Sequence, residues 1–531
     1  MERKQSVIGG VAILTLASVM VKVIGMFYKI PLTYVLGDEG MGYFNAAYTI
    51  YAWLYMLSTA GFPVAVSIVL SEGRGKGSRR LVQGTMRTAF CILLAIGVVT
   101  STGMASFARQ ISNALGTSGA YETILAISPT LFLICLTSFF RGCFQGYQNM
   151  VPTAISQLIE AVGKVVFGIL LALYAKGRGY GLATISAYAV LGVTIGTCLA
   201  TLYLLAIFLV AKRRGRFWEK KDAPPLLEEK PKILRKLLGI ALPVTISASV
   251  MSLTSLIDLG MIIRRLTNLG YTQEEATALY GNYTTLVVPM FNLPSILITP
   301  IASGIIPALS MYVSQGKWEK AREVVMGAFR TVAFIAVPAS FGLALFSRPI
   351  LLLLYPQESA EVAYRLLTTI APAVYFVCIL TLSNAILQAH GYAKVSMVTM
   401  VLGGALKVAV GFVLLGNARF GIYGSPIGTM VCYGVAMLCN MGVILMRLGY
   451  VPQASYLLLR PTIASLLSIL PMSYLYTKTF HGGVSSIFTL IFIGLSACLY
   501  ALSAYFVGAF KREDIYLLIG RKGRKSKKLL N

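Results

Sequence analysis

A single offset realigns two separate blocks of this chain, and this internal repeat constrains the fold more than any other feature. Shifted by 243 positions, the segment 65–88 falls on 308–331 and the segment 145–181 falls on 388–424. The matched pairs of basic residues are Arg79 with Arg322, Arg87 with Arg330, and Lys164 with Lys407. In a membrane protein, two like halves are typical of a transporter, because two lobes can rock about a shared central site.

The composition places the chain in a membrane. Of its 531 residues, 57% are hydrophobic and only 12% are charged, whereas soluble domains carry about 25% charged residues. The runs 182–210 and 482–510 each extend for 29 residues without a charge, and about 20 apolar residues span a bilayer as a helix. Helices satisfy every backbone polar group within lipid, so the fold is expected to be all-α.

We predict about fourteen transmembrane helices. Their approximate bounds are 7–36, 43–70, 84–108, 122–144, 153–175, 181–211, 236–263, 280–312, 324–347, 361–390, 394–416, 421–447, 455–477 and 482–510. A charged stretch with three prolines separates the sixth helix from the seventh, which is typical of a linker between lobes. Because six is even, both lobes enter the membrane from the same side and the repeat is parallel.

The predicted fold class is therefore an all-α polytopic membrane protein with two six-helix lobes and two extra C-terminal helices. The predicted parts are an N-terminal lobe at 1–211, a basic cytoplasmic linker at 212–235, a C-terminal lobe at 236–450, helices 13 and 14 at 451–510, and a basic cytoplasmic tail at 511–531.

The Lys and Arg residues predict the orientation. They concentrate in the linker, in the loop 317–322 and in the tail, and Arg141 falls on the same side. Positive loops stay in the cytoplasm, so both termini are expected there, in a bacterial plasma membrane. The same placement accounts for the net charge of +27 without a nucleic-acid partner. The eight cysteines lie in or beside apolar runs, and neither histidine has a ligand-spaced companion, so we expect no metal site or other cofactor.

Two lysines in the first helix are candidate ligands for a phosphate. Ionisable residues within spans usually face the bundle interior, and Lys22 and Lys29 are seven residues apart, on one face. The seventh helix carries Arg264 and Arg265, and aligning the two helices sets Lys29 opposite Arg264. These four cations are predicted to hold a diphosphate. The alternative is that they extend to the membrane interface, as long basic side chains commonly do.

Other charges within spans suggest coupling or structure. Glu160 and Lys164 form an i,i+4 pair in the favourable order, whose role is either structural or in proton or cation coupling. The repeat keeps Lys407 but replaces the carboxylate with glycine. Asp258 is a candidate ligand for a coupling cation, with Asn384 or backbone carbonyls, and pairing of Asp258 with a Lys or Arg is the alternative.

Three segments carry a family resemblance. They are Arg141-Gly-Cys-Phe-Gln-Gly-Tyr-Gln-Asn-Met-Val-Pro-Thr-Ala-Ile-Ser-Gln-Leu-Ile-Glu160, Lys22-Val-Ile-Gly-Met-Phe-Tyr-Lys-Ile-Pro31 and Gly61-Phe-Pro-Val-Ala-Val-Ser67. The chain resembles the multidrug/oligosaccharidyl-lipid/polysaccharide exporter superfamily, in particular its polysaccharide-transport branch with the stage V sporulation B proteins and the Gram-positive lipid II flippases.

The resemblance implies a V-shaped, two-lobed flippase that turns undecaprenyl-diphosphate-linked sugars across the membrane by alternating access. It implies that Lys22 holds the diphosphate and that the last two helices form a groove for the lipid tail. The chain departs from the pattern at Tyr28-Lys29, where many lipid II flippases have Arg-Asp, and near Val287–Pro289, where an arginine is absent.

The sequence leaves three candidate functions. The first is a flippase for a lipid-linked cell-wall or polysaccharide precursor, most simply lipid II, whose partners are that lipid-linked saccharide, the bilayer and proteins of cell-wall synthesis. Sodium, protons or the membrane potential supply the energy. The second is a cation-coupled drug exporter of the same superfamily, which is expected to favour carboxylates in its cavity. The third, a membrane enzyme acting on polyprenyl phosphates, needs clustered acids, a metal site or a large extramembrane domain, and none stands out in the sequence.

Overall fold

The computed structural model describes residues 7–59, 61–75, 78–213, 230–480 and 486–509. Within these ranges every regular element is a helix. The predicted basic tail and most of the predicted linker lie outside the described residues. The chain forms two compact units that divide between Thr285 and Leu286, within a π-helical turn at Tyr283–Val287. The division into lobes at 212–235 stays a prediction.

Among the residues that the structure describes, the first unit contains nine α-helices. They are α1 (Val7–Thr59), α2 (Phe62–Gly75), α3 (Arg79–Ser106), α4 (Ala108–Ala114), α5 (Tyr121–Gly146), α6 (Val151–Gly177), α7 (Leu182–Arg213), α8 (Lys230–Asn268) and α9 (Gln273–Asn282). One apolar core lies between α2, α3, α5 and the start of α8, where Phe62, Leu93 and Phe140 are buried.

The described part of the second unit contains another nine α-helices. They are α10 (Val288–Ser314), α11 (Trp318–Leu345), α12 (Ser347–Leu354), α13 (Gln357–Ile370), α14 (Pro372–Ala389), α15 (Ala393–Leu415), α16 (Gly424–Leu448), α17 (Arg460–Phe480) and α18 (Ser486–Phe506). The two final helices pack on each other, and the Tyr500 hydroxyl of α18 donates to the Phe334 carbonyl of α11 at 2.9 Å.

Helix α1 is two helices joined at Gly37, whose φ of 65° lies in the left-handed region that glycine tolerates. The Lys29 ammonium donates to the Asn45 side-chain oxygen at 3.1 Å, although sixteen residues of straight helix extend about 24 Å. The chain therefore reverses at Gly37. This break agrees with the predicted gap between helices 7–36 and 43–70. The predicted helix 43–70 is wrong in one respect, because the chain breaks again at Gly61, whose N–H donates to Thr245.

Twelve segments of the described residues are long and apolar enough to cross a membrane, so the predicted number of fourteen is not confirmed. The numbers differ in two places. The segment Leu16–Arg74 is counted as one although it contains the reversal at Gly37. Helix α8, the counterpart of the predicted seventh helix, is not among the twelve.

Glycines bring α6 and α7 into backbone contact. A Cβ added at Gly192 would lie 2.2 Å from the Gly168 nitrogen, and one at Gly196 would lie 2.6 Å from the Glu160 carbonyl and 2.7 Å from the Lys164 nitrogen. Small residues allow such close approach of membrane helices. The repeat-related helices α15 and α16 approach in the same way, since a Cβ at Gly403 would lie 2.6 Å from the Cys432 carbonyl.

We expect Gly196→Ala to lower the stability of the protein by about 1–3 kcal/mol, because the added methyl group meets backbone that cannot rotate away. The measurement is the free energy of unfolding in detergent. Gly103→Ala is the matched control, because a Cβ there meets nothing within 4 Å. Equal stability of the two variants would show that α6 and α7 do not need this contact.

Candidate functional site

The first unit contains a polar cavity of about 280 Å³ between α1, α5, α6 and α7. Three cations and one carboxylate are among its lining side chains. The lining residues are Ser18, Val21, Lys22, Gly25, Tyr48, Tyr51, Tyr55, Arg141, Gln157, Glu160, Ala161, Lys164 and Val193. The reversal at Gly37 allows both halves of α1 to line this one cavity.

An ion pair joins α5 to α6 at the cavity wall. The Arg141 Nη2 atom donates to Glu160 Oε2 at 2.8 Å, and Arg141 Nε donates to Ser156 Oγ at 3.0 Å. The side chains of Arg141 and Glu160 are 10% and 25% exposed. The turn between α5 and α6 makes the helices neighbours, and Gln148 within it adopts a φ of 58°. One positive charge of the cavity is thereby neutralised.

Two tyrosine rings position the ammonium of Lys164. Its Nζ atom lies 5.3 Å from the centroid of the Tyr28 ring and 5.1 Å from that of Tyr48, within the range of a cation–π contact. The predicted pair of Lys164 with Glu160 does not form, because Glu160 pairs with Arg141. Among the described residues, no carboxylate lies within ion-pair distance of Lys164. Its positive charge therefore remains available to an anion.

Lys22 also lines the cavity, and its side chain is exposed. In the part of the chain that the structure describes, it has neither a hydrogen-bond partner nor an ion-pair partner. Close to it, the Ser18 hydroxyl donates to the side-chain oxygen of Gln157 at 3.4 Å and links α1 to α6. Lys22 and Lys164 thus give the cavity two positive charges without a carboxylate partner.

Aromatic rings form a ladder along the second half of α1. Phe44, Tyr48, Tyr51 and Tyr55 follow one another at helical spacing, with ring centroids 5.6–6.1 Å apart. Three of these rings are tyrosines that line the cavity. They offer flat surfaces and hydroxyl groups to a bound molecule.

The other predicted phosphate ligands do not line this cavity. The Lys29 Nζ atom donates to the Asn45 side-chain oxygen and, at 2.9 Å, to the Thr284 carbonyl. The Arg264 guanidinium donates to the carbonyl of Ala114, the last residue of α4, and Arg265, its neighbour on α8, is half-buried. Of the four cations that were grouped, Lys22 is the one that lines this cavity.

The predicted coupling residues fall in different units. Asp258 is buried in α8 of the first unit. In the second unit, Asn384 accepts a hydrogen bond from buried Asn440 at 2.7 Å, and Asn440 in turn accepts one from Thr399 at 2.7 Å. Lys407 is half-buried on α15. Among the described residues, no group of three His, Cys, Asp or Glu side chains is arranged to hold a metal ion.

Sequence reasoning missed the role of Arg141. It was counted as a cation that signals topology, yet it is 8% exposed and paired within the first unit. The sequence contains a signal for this role, because the segment that carries the family resemblance begins at Arg141 and ends at Glu160. The two residues meet only because that segment folds as a helical hairpin.

The family model described as "Polysaccharide biosynthesis protein" matches residues 7–313, more than half of the chain. The chain belongs to the polysaccharide biosynthesis protein family. A second family model, MatE, matches residues 243–413. Both place the chain in the multidrug/oligosaccharidyl-lipid/polysaccharide exporter superfamily, as the resemblance implied.

Relatives of this chain include the lipid II flippase MurJ of Bacillus subtilis, which is 25% identical over 83% of each chain. Stage V sporulation protein B of the same organism is 24% identical over 80% of each chain. A solved structure of lipid II flippase MurJ in an inward closed conformation superposes with a TM-score of 0.68, covers 96% of this chain and 99% of its own, and is 16% identical.

An inward-facing multidrug transporter of the MATE family has a TM-score of 0.64, covers 81% of this chain and 94% of its own, and is 15% identical. The predicted all-helical, two-lobe membrane fold is confirmed. These relatives are transporters by name, not enzymes.

We expect Glu160→Gln to destabilise the protein by about 2 kcal/mol, because Arg141 would lose its partner in a largely buried setting. The measurement is unfolding by denaturant in detergent. Glu361→Gln is the control, since the Arg348–Glu361 pair is more exposed, at 37% and 34%, and such pairs contribute about 0–1 kcal/mol. If both variants lost the same stability, the Arg141–Glu160 pair would have no special structural role.

Proposed function

We propose that this chain is a flippase that moves an undecaprenyl-diphosphate-linked saccharide of the lipid II class across the plasma membrane by alternating access. The observation that carries the proposal is the cavity of the first unit, where three cations face one carboxylate. The family membership and the relatives named as lipid II flippases support it. Orientation with both termini in the cytoplasm is part of the proposal.

The diphosphate is proposed to bind at Lys22 and Lys164. Both ammonium groups line the cavity, and neither has a carboxylate partner among the described residues; each supplies a point charge with three donors to phosphate oxygens. Tyr48, Tyr51 and Tyr55 lie beside them and present ring faces to the saccharide. A direct part for Lys29, Arg264 and Arg265 in binding stays a prediction.

A cation-coupled drug exporter is the second candidate. It is supported by the MatE match at 243–413 and by the structural likeness to a multidrug transporter. The charge of the cavity favours the flippase, because an excess of cations repels organic cations and attracts diphosphate. The two candidates therefore predict opposite ligand charges for one cavity.

We expect Lys22→Gln and Lys164→Gln each to slow the exchange of lipid II between leaflets by about tenfold or more, since each removes a charge-assisted contact. The measurement is protein-dependent exchange of fluorescent lipid II in liposomes. Lys407→Gln is the matched control, because Lys407 is the repeat partner of Lys164 and lies outside this cavity.

Normal exchange by both lysine variants would remove this cavity from the mechanism. Uptake of a cationic dye driven by an ion gradient, without lipid II exchange, would instead identify a drug exporter. Equal loss in the Lys407 variant would indicate that both units hold the substrate symmetrically.

We further propose that a coupling ion, sodium or proton, acts through Asp258, a buried carboxylate within α8. Asp258→Asn is expected to abolish the dependence of lipid II exchange on the ion gradient while leaving exchange at zero gradient within about twofold, because the charge that binds the ion is gone. The measurement is exchange in liposomes with and without sodium and pH gradients. Retained dependence would assign the coupling elsewhere or to the membrane potential.

A further inference from the structure

The second unit holds a separate cavity of about 190 Å³ at the end where α11 and α17 begin. This volume is more than ten times the roughly 15 Å³ that one water molecule needs. Its polar lining comes from Arg322 and Arg330 of α11 and from Gln453 and Tyr456 of the segment between α16 and α17. Among the described residues that line it, none is a carboxylate.

One face of α11 forms a wall of the cavity. Arg322, Met326, Phe329 and Arg330 have the spacing i, i+4, i+7 and i+8 and therefore share that face. Phe329 is buried and forms an apolar floor. Arg322 is exposed at the rim and Arg330 is half-buried. The cavity thus combines two guanidinium groups with an apolar base.

The opposite wall is held in place by Arg460, the first residue of α17. Its Nε atom donates to Ser455 Oγ at 3.1 Å and its Nη1 atom donates to the Gly508 carbonyl at 2.7 Å. The guanidinium of Arg460 lies 4.3 Å from the centroid of the Tyr456 ring, and that of Arg330 lies 5.9 Å from the same ring. The Tyr456 ring is therefore held between the guanidinium groups of Arg460 and Arg330.

The loop before Tyr456 is anchored as well. The Tyr450 hydroxyl lies 3.0 Å from His390 Nε2, and His390 closes the end of α14. Tyr450 is buried, and Gly449 before it adopts a φ of 67°. Both walls of the cavity are thus formed by elements with fixed positions within the second unit.

The same arginines belong to the internal repeat. Arg322 and Arg330 are the partners of Arg79 and Arg87 at the offset of 243 residues. The proposed flippase site uses none of these four residues. The preference of positive loops for the cytoplasm accounts for positive charge at this end of α11. It does not require two arginines eight residues apart on one helix face.

We infer that the cavity at Arg322 and Arg330 is a phosphate-binding site, which takes either the headgroup phosphate of an anionic lipid or a soluble phosphate. Guanidinium groups donate paired hydrogen bonds to phosphate oxygens. The predicted orientation sets this end of the second unit at the cytoplasmic surface, where basic pockets between membrane helices bind anionic headgroups. The site lies in the second unit, whereas the proposed diphosphate site lies in the first.

The test compares the full-length protein with the double variant Arg322→Gln/Arg330→Gln. Phosphatidylglycerol retained by the detergent-purified protein is counted by native mass spectrometry, with zwitterionic phosphatidylcholine as the reference lipid. In a second arm, inorganic phosphate is titrated against the delipidated protein while the thermal midpoint is recorded. The control is Arg87→Gln, which changes the repeat partner of Arg330 in the first unit.

We expect the double variant to lose about tenfold or more in affinity for one of the two ligands, while the control variant stays within twofold of the unmodified protein. Loss of phosphatidylglycerol alone identifies a lipid site, and loss of the phosphate-dependent rise in midpoint alone identifies a site for soluble phosphate. Unchanged binding of both ligands would overturn the inference. Because Arg322 is exposed, Arg322→Gln alone keeps the test decisive if the double variant does not fold.

Discussion

The ion pair between Arg141 and Glu160 is the interaction on which the cavity of the first unit depends. A charge within a membrane is costly unless it is paired or functional, and this pair neutralises the one carboxylate that lines the cavity. Lys22 and Lys164 then remain as unmatched positive charge. If Glu160 had paired with Lys164 instead, the unpaired positive charge would lie on Arg141 of α5 and not on Lys164 of α6. The choice of partner therefore decides where an anion can bind.

Backbone packing sets the geometry around that pair. Helix α6 carries Glu160 and Lys164, and the glycines of α7 allow its backbone to approach within contact of both residues. The reversal of α1 at Gly37 brings Lys22 and the three tyrosines Tyr48, Tyr51 and Tyr55 to the same cavity from two halves of one helix. Small residues at these positions thus act on function indirectly, by fixing the distance between helices that carry the charges.

The sequence predicted the elements better than the contacts between them. Apolar runs and the repeat predicted the helices, since both depend on local composition. The pairing of Lys164 with Glu160 was predicted wrongly, because i,i+4 spacing establishes a shared face but not which neighbour is nearer in the fold. Lys29 was grouped with Lys22 for the same reason, yet it is hydrogen-bonded to Asn45 and the Thr284 carbonyl. Such partners depend on helix packing, which periodicity does not reveal.

Photo-crosslinking tests whether the diphosphate of a lipid-linked saccharide binds in the cavity of the first unit. A photoreactive residue at Gln157, which lines the cavity, is compared with one at Leu170, which is 57% exposed on the same helix. Binding in this cavity predicts that labelled lipid II crosslinks at Gln157, that excess undecaprenyl diphosphate competes, and that Lys22→Gln weakens the crosslink. Equal crosslinking at both positions, unaffected by undecaprenyl diphosphate, would contradict it.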